Sequence, residues 1–516
     1  MDFTIFKYIQ NSCLEIVNSI IRNGKYRYVI STILISNFLL ISLFFFNTHR
    51  LNANPFNLSL YGTESNKEPW VLTEIYPTAE ELQTLPNYSN SSETSKPKNR
   101  NKPYIPTDIS KFPELGPPPS KVLLSINDYN FNGPYVGWPL GRVCREARQT
   151  SGLIFLCDNN SGGIGNIRNF ILTCIRYAIE AGASGLVLPM IQQRSDKELS
   201  DIFTTGFQPF NYFFDEQHFR YAMRTYCPQV VIYDNLVDIP QSENLRNIKD
   251  FYPKGLNVDL DGCDERGVNR HLDMFRREFD EWLAQTGQSV TANYPLSIRL
   301  KWATFFEWPI YRDGPEFATT FGDLLRIRSD IQQLAAATIK EMSIAMGLKP
   351  NPLSIEASYL GVHLRTEIDA LSFWPKFDQQ SDAYLKEAEE RKLTHIYLAS
   401  GNLTDSKRFA DRASDMLGKI VLTKHDLLHG KELEVLERFS WDQQALVDFL
   451  VLQKSTFFTG CSFSSFAMNI AVKRHTMTAG IYTRQWNNPG DEYSSLVGPF
   501  KSWYGDWMFM FECLWP

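Results

Sequence analysis

The stretch "GVHLRTEID" closes an apolar run with His363, Arg365, Glu367 and Asp369 at alternate positions. In an extended chain, side chains two residues apart share a face, so this spacing aims an imidazole and a guanidinium at one spot, where an anion is the natural ligand. The rival reading is that His363 and Arg365 are a structural pair bridging Glu367 or Asp369, an arrangement common on protein surfaces and energetically minor. Two more segments carry matching chemistry. "NSGGIGNIR", Asn160 to Arg168, puts Gly162, Gly163 and Gly165 where an apolar run gives way to a helical pattern, so that backbone N–H groups and a helix start can approach a ligand. A plain tight turn would use the same glycines. "TGCSFSSF", Thr459 to Phe466, repeats the plan with hydroxyls: Ser462, Ser464 and Ser465 can cap the following helix, and a capped helix start attracts anions. With Arg365 and His363 added, a diphosphate becomes the expected ligand, because guanidinium groups bind phosphate in bidentate fashion.

Other chemistries lose ground. The glycine turn lacks the spacing of a dinucleotide fingerprint and has no Lys-Ser/Thr of a P-loop. No G-x-S-x-G or H-E-x-x-H hydrolase signature occurs. "DLD", Asp259 to Asp261, with Asp264 and Glu265 beside it, offers a rival metal–diphosphate clamp. No C-x-x-C motif supports a zinc site.

The elements that must position these residues follow from periodicity. Leu153–Cys157, the glycine turn, a helix with Ile167, Ile171, Cys174, Ile175, Ala178 and Ile179 at spacings of three and four, and the run Gly185–Met190 compose a βαβ unit, which implies a parallel sheet. "PQVVIYDNL" supplies a later strand of the same layer. The stretch from about 240 to 350 reads as helix-rich. Beyond it, "YLGVHLR", "THIYLAS", "KIVLT" and "STFFTG" read as strands that alternate with helices ending in "LKEAEERK", "SDMLG", "VLQK" and "VKRH". The fold class is therefore α/β, with two doubly wound, Rossmann-like units facing a cleft and ligands at the carboxyl ends of the strands.

At 516 residues the chain is too long for one core. Its 43% hydrophobic and 14% aromatic residues are those of a folded protein, and a net charge of -6 leaves no basic field for nucleic acid. The uncharged run Tyr28–Phe46 matches a hydrocarbon core, and Lys7, Arg22, Lys25 and Arg27 before it place the N-terminus on the cytosolic side. The expected plan is a cytosolic tail (1–27), a transmembrane signal-anchor (28–46), a disordered stem (47–118) rich in Asn, Ser, Pro and Lys, a first domain (119–350) on the acceptor side and a second (351–516) for the donor. The compartment is then the Golgi or endoplasmic reticulum, with a luminal body. Sequons at Asn57, Asn87, Asn90, Asn159 and Asn402 fit that side of the membrane. So does a reading of the seven luminal cysteines as up to three disulfides with one thiol left over.

Three blocks resemble the protein O-fucosyltransferase-like glycosyltransferases, two-domain GT-B enzymes that use GDP-fucose: "GGIGNIR" with its helix and "GLVLP" strand, "GVHLRTEID", and "VDFLVLQKSTFFTGCSFSSF". The resemblance implies an inverting, metal-independent transfer of fucose to a hydroxyl, usually a protein Ser or Thr, with no cofactor beyond the donor. It implies that Arg365 binds the diphosphate and stabilises the leaving GDP, and that Asn166 lies beside the acceptor hydroxyl. His363 and Asp448 would contact the nucleoside end; Ser464, Ser465, Phe466 and the glycines Gly162, Gly163 and Gly165 would cradle the phosphates, with Asp369 among the donor-binding residues. One departure stands out: some members carry an arginine in the first glycine turn, where this chain has Gly163, and Arg168 and Arg142 are the candidates to replace it. Asp158 and Asp369 are the candidates for a general base. The alternatives are a metal-dependent or other sugar-nucleotide transferase, and an inactive, membrane-anchored scaffold or glycan-binding protein with the same shell.

Overall fold

The computed structural model describes residues 131–516 apart from 197, 246, 254–271, 288, 302–307, 350–356, 371–373, 479–490 and 499–512. The segments expected to be a cytosolic tail, signal-anchor and stem, the sequons at Asn57, Asn87 and Asn90, and the "DLD" stretch lie outside the described residues. Among those described, no helix is long and apolar enough to cross a membrane.

The strands in chain order are β1 (Thr150–Leu156), β2 (Ala183–Val187), the short pair β3 (Ile191–Gln192) and β4 (Phe207–Gln208), then β5 (Val231–Tyr233), β6 (Lys249–Phe251) and β7 (Leu296–Leu300). In the second half come β8 (Ala357–His363), β9 (His395–Ala399), β10 (Ile420–Leu422), β11 (Ser455–Cys461) and β12 (Ser494–Val497). They build two five-stranded parallel sheets, ordered β5-β2-β1-β7-β6 and β10-β9-β8-β11-β12, while β3 and β4 form an antiparallel ribbon. In β1, Gly152 through Leu156 are buried without alternation, as expected of a parallel strand covered on both faces.

The strand expectations hold in place and order, with one correction. The stretch expected to be only helix-rich contains β6 and β7, and β7 inserts directly beside β1. Leu296, Ile298 and Leu300 carry its apolar face. Its partner lies some way off in the chain, which local periodicity does not reveal.

Six helices position the site or join the halves: α1 (Ile164–Ala181), α2 (Ser329–Ala345), α3 (Phe377–Glu390), α4 (Leu403–Leu417), α5 (Trp441–Gln453) and α6 (Ser465–Thr478). One hydrophobic cluster runs through both sheets and their helices; it contains Phe155 and Phe170 of the first half together with Phe449 and Met468 of the second. α2 precedes residue 350 yet packs on α5 of the second half, and α6 packs on α1 of the first. The halves therefore interlock. Arg168 on α1 fastens them: it donates to Asn469 Oδ1 on α6 at 3.4 Å, to the Trp515 carbonyl, and to Pro516 O at 2.5 Å.

Disulfides join Cys144 to Cys227 and Cys157 to Cys174, Cys513 is also disulfide-bonded, and Cys461 is a buried free thiol. Burial pushes the Cys461 thiol up to about 11, so it is inert as a nucleophile.

Candidate active site

The first wall is the loop from β1 to α1. Asn160 is buried and rivets it: its amide nitrogen donates to Met190 O at 2.7 Å and Cys157 O at 3.2 Å, and its oxygen accepts from the Gln192 amide at 3.1 Å. Gly162 sits at φ +89, a conformation that suits glycine, and a Cβ there would lie 2.8 Å from Asn166 Nδ2. Gly163 caps α1 without any side-chain hydrogen bond, so the first N–H groups of that helix are left to the cleft. The Cys157–Cys174 disulfide ties the end of β1 to the body of the same helix.

The second wall is the turn from β11 to α6. Ser464 N–H donates to Cys461 O at 3.1 Å, and Ser462 N–H to Val497 O at 2.9 Å. Ser462 and Ser464 are buried, while Ser465 and Phe466 are half-buried. Here the halves meet: a Cβ on Gly165 would lie 2.6 Å from the Ser465 carbonyl carbon and 2.8 Å from Phe466 N. Only a glycine lets the first turn of α1 rest on the first turn of α6. Two helix N-termini thus converge, each presenting partial positive charge.

The third wall is the end of β8. The strand stops at His363, so Arg365, Glu367 and Asp369 stand on the loop beyond it and not on the strand itself. The His363 ring lies tilted against Phe466, with centroids 4.6 Å apart, and its Nδ1 is buried with no hydrogen-bond partner. Burial, reinforced by the Arg365 charge against the opposing pull of Glu367, lowers its pKa to about 4. His363 is therefore neutral near pH 7 and offers an aromatic face and a neutral ring nitrogen.

Arg365 is held by its own loop, as the rival reading expected. Its Nη1 donates to Glu367 Oε2 at 2.6 Å and its Nη2 to Asp369 Oδ2 at 2.7 Å. Gln380 on α3 clamps the Arg365 backbone from both sides, accepting from its N–H and donating to its C=O at 2.9 Å each. Burial opposes the charge of Arg365, but Glu367 and Asp369 outweigh it and raise the pKa, so it stays cationic.

A residue missed in the sequence completes the cluster. Arg194, in the loop after β3, is buried, donates from Nη1 to the same Asp369 Oδ2 at 3.1 Å, and lies over the Trp441 ring at 5.5 Å. No motif marks Arg194, which reaches the site through the ribbon. Asp369 is thus the shared counter-ion of two arginines. Its burial raises the carboxyl, but the Arg365 hydrogen bond and both guanidinium charges leave it below the ordinary carboxylate range. Neighbouring Asp442 shifts the other way, pushed up to about 6 by burial, with Arg194 opposing and Asp196 adding.

Other expected residues fall elsewhere. Asp448 is buried inside the second half, where its oxygens accept from Tyr397 and Lys424 at 2.6 Å each. Arg168 is the strut between the halves, and Arg142 bonds Glu146 and the Asp313 carbonyl, so neither substitutes for an arginine at Gly163. Asp158 is held by Arg299 of β7 through two hydrogen bonds of 2.9 and 3.0 Å. Of the two described sequons, Asn159 is half-buried beside the glycine turn; Asn402 caps α4, and its amide nitrogen donates to Thr366 O and Asp405 Oδ2 at 3.0 Å each. Among the described residues no group of three or more His, Cys, Asp or Glu side chains gathers as a metal site.

Unpartnered buried polar atoms collect around these walls: Ser161 Oγ, Arg194 Nε, His363 Nδ1, Thr366 Oγ1, Asp369 Oδ1 and Trp374 Nε1. Buried polar groups are normally satisfied, so these atoms are free to bond a ligand of mixed donors and acceptors. Two parallel α/β halves thus bring two helix N-termini and two guanidinium groups together, the chemistry of a site for an anionic ligand.

Among solved structures, the chain is similar to POFUT1 in complex with GDP, at 13% identity, 68% of this chain, 100% of that chain and a TM-score of 0.41. It is also similar to the NodZ alpha-1,6-fucosyltransferase soaked with GDP-fucose, at 15% identity, 62% of this chain, 92% of that chain and a TM-score of 0.32. A Bradyrhizobium NodZ structure matches at 15% identity, 62% of this chain, 91% of that chain and a TM-score of 0.31. No curated protein sequence matches the chain. The family model described as GDP-fucose protein O-fucosyltransferase matches residues 153–477. The chain belongs to that family.

Proposed function

We propose that the protein transfers fucose from GDP-fucose to a hydroxyl, with inversion at the anomeric carbon and without a metal ion, and that the acceptor is a protein Ser or Thr. The observation that carries this reading is the meeting of α1 and α6 at Gly165 and Ser465, with Arg365 at the neighbouring strand end. In this arrangement the diphosphate lies against the two helix starts. Arg365 turns from its carboxylates to the β-phosphate oxygen that gains charge as GDP departs, the role a metal ion plays in other transferases. His363 and Phe466 offer two adjoining ring faces to the donor, and Asn166, beside Gly162, would face the acceptor hydroxyl. The membrane anchor at 28–46 and a luminal body in the Golgi or endoplasmic reticulum belong to the same proposal, supported by the charge bias and the sequons.

The test is calorimetric titration of the full-length chain with GDP, GDP-fucose, GDP-mannose and UDP, with and without EDTA. Selective GDP binding that ignores EDTA and disappears in Arg365→Ala supports the reading; a folded chain that ignores GDP sinks it. A second reading, a donor-binding scaffold without turnover, is favoured by one observation: both terminal nitrogens of Arg365 are already taken by carboxylates. Release of GDP from GDP-fucose in the presence of a protein acceptor pool would exclude it.

A further inference from the structure

We infer that Arg194 is a second cationic ligand of the donor diphosphate, contributed by the first half, and that Asp369 holds its place until the donor arrives. The inference rests on the donor site proposed above. Arg194 and Arg365 come from opposite halves of the molecule, yet both donate to one oxygen, Asp369 Oδ2, at 3.1 and 2.7 Å. Two guanidinium groups converging on a single anionic oxygen is the arrangement a phosphate oxygen requires. Arg194 is also placed toward the phosphate cradle: its Nη2 is the one atom within 4 Å of the position a Cβ on Gly163 would occupy, at 4.0 Å. The Arg194 guanidinium therefore borders the open start of α1. Its Nε and Asp369 Oδ1 are both buried and unpartnered. The pair leaves hydrogen-bonding capacity unused on each side, unlike the doubly bonded Arg299–Asp158 pair of the same half.

Trp441 under the guanidinium keeps it in the cleft when Asp369 lets go, since a planar cation on an indole face keeps its attraction without a carboxylate. Donor binding then exchanges one anion for another. The diphosphate takes the oxygen position of Asp369, and both arginines keep a full complement of charge.

A merely structural bridge between the halves makes a different prediction from a donor ligand with a displaceable counter-ion, because the two variants that break the bridge should then behave alike. GDP and GMP are titrated into the full-length wild type, Arg194→Gln, Arg194→Lys and Asp369→Asn, each checked for folding by its melting temperature. The expected result is that Arg194→Gln weakens GDP binding about tenfold or more and erodes the preference for GDP over GMP, since a hydrogen bond to a charged group is lost. Arg194→Lys recovers part of that loss, and Asp369→Asn tightens GDP binding several-fold. The inference is overturned if Arg194→Gln binds GDP as the wild type does, or if Arg194→Gln and Asp369→Asn both weaken it alongside a lowered melting temperature. A wild type that does not bind GDP fails earlier and refutes the donor site itself.

Discussion

His363 shows how burial decides what a motif residue can do. Its pKa of about 4 lies below the ordinary histidine value of 6.5 because the ring is shut away from water, with Arg365 nearby adding to the effect. The unfolded chain takes up a proton below about pH 6.5 and the folded one does not until about pH 4, so folding stability falls as pH drops through that window. At pH 5 the loss from this residue should be about 2 kcal/mol relative to pH 7. Urea unfolding of wild type and His363→Gln at both values checks this: the variant, with no proton to take up, should lose less on acidification. Equal losses would mean that the ring is hydrated in solution. For Arg365, truncation to alanine should cost roughly 3 to 4 kcal/mol in kcat/KM for transfer, the scale of a lost oxyanion donor. The same change strands Glu367, which is buried and accepts from the Gly401 amide at 2.6 Å, so the variant should also melt at a lower temperature.

The elements act through where they begin. α1 and α6 each start at a small-residue turn, and their starts are in backbone contact, so the site depends on one absent side chain. Gly165→Ala places a methyl 2.6 Å from the Ser465 backbone, where no flexible group can give way. The expected outcome is a destabilisation of about 1–3 kcal/mol, the usual range for overpacking, together with weaker GDP binding as the helix starts move apart. Thermal melting and GDP titration of the same sample read both effects; an unchanged affinity would show that the anion does not sit between the two helices. The sequon at Asn402 belongs to this scale as well. Its side chain caps α4 and bonds the Thr366 carbonyl next to Arg365, so the folded element already uses the amide that a glycan would need.

At the scale of the whole molecule, the two sheets among the described residues are separate, but the larger of two apolar clusters spans both, while the smaller, with Leu360, Tyr384 and Phe409, lies within the second half. α2 and α6 each pack on the opposite half, Arg168 is buried between them, and one apolar cluster spans both. Unfolding of residues 131–516 should therefore be a single transition, despite a size at which chains usually divide into independent domains. Fluorescence and far-ultraviolet dichroism should give coincident denaturation curves, while two resolved steps would show that the halves are independent. The same interlocking explains why a cleft residue such as Arg194 can be fixed by Asp369 in the other half.

The sequence by itself determined the alternation of strands and helices, the two small-residue turns, the Arg365 strand end and the family resemblance. Each of these is local, written in apolar periodicity and in residues whose backbone or charge has few other uses. The surplus thiol was also legible, since seven cysteines after the apolar run cannot all pair with one another, and Cys461 is the free one among the described residues. Only the tertiary structure decided that β7 lies beside β1, that Asp448 is sealed by Lys424 and Tyr397, and that Arg194 shares a carboxylate with Arg365. It alone made His363 a neutral ring. These facts depend on which groups meet across long stretches of chain and how much water they lose on meeting, and neither quantity is carried by residue type or spacing.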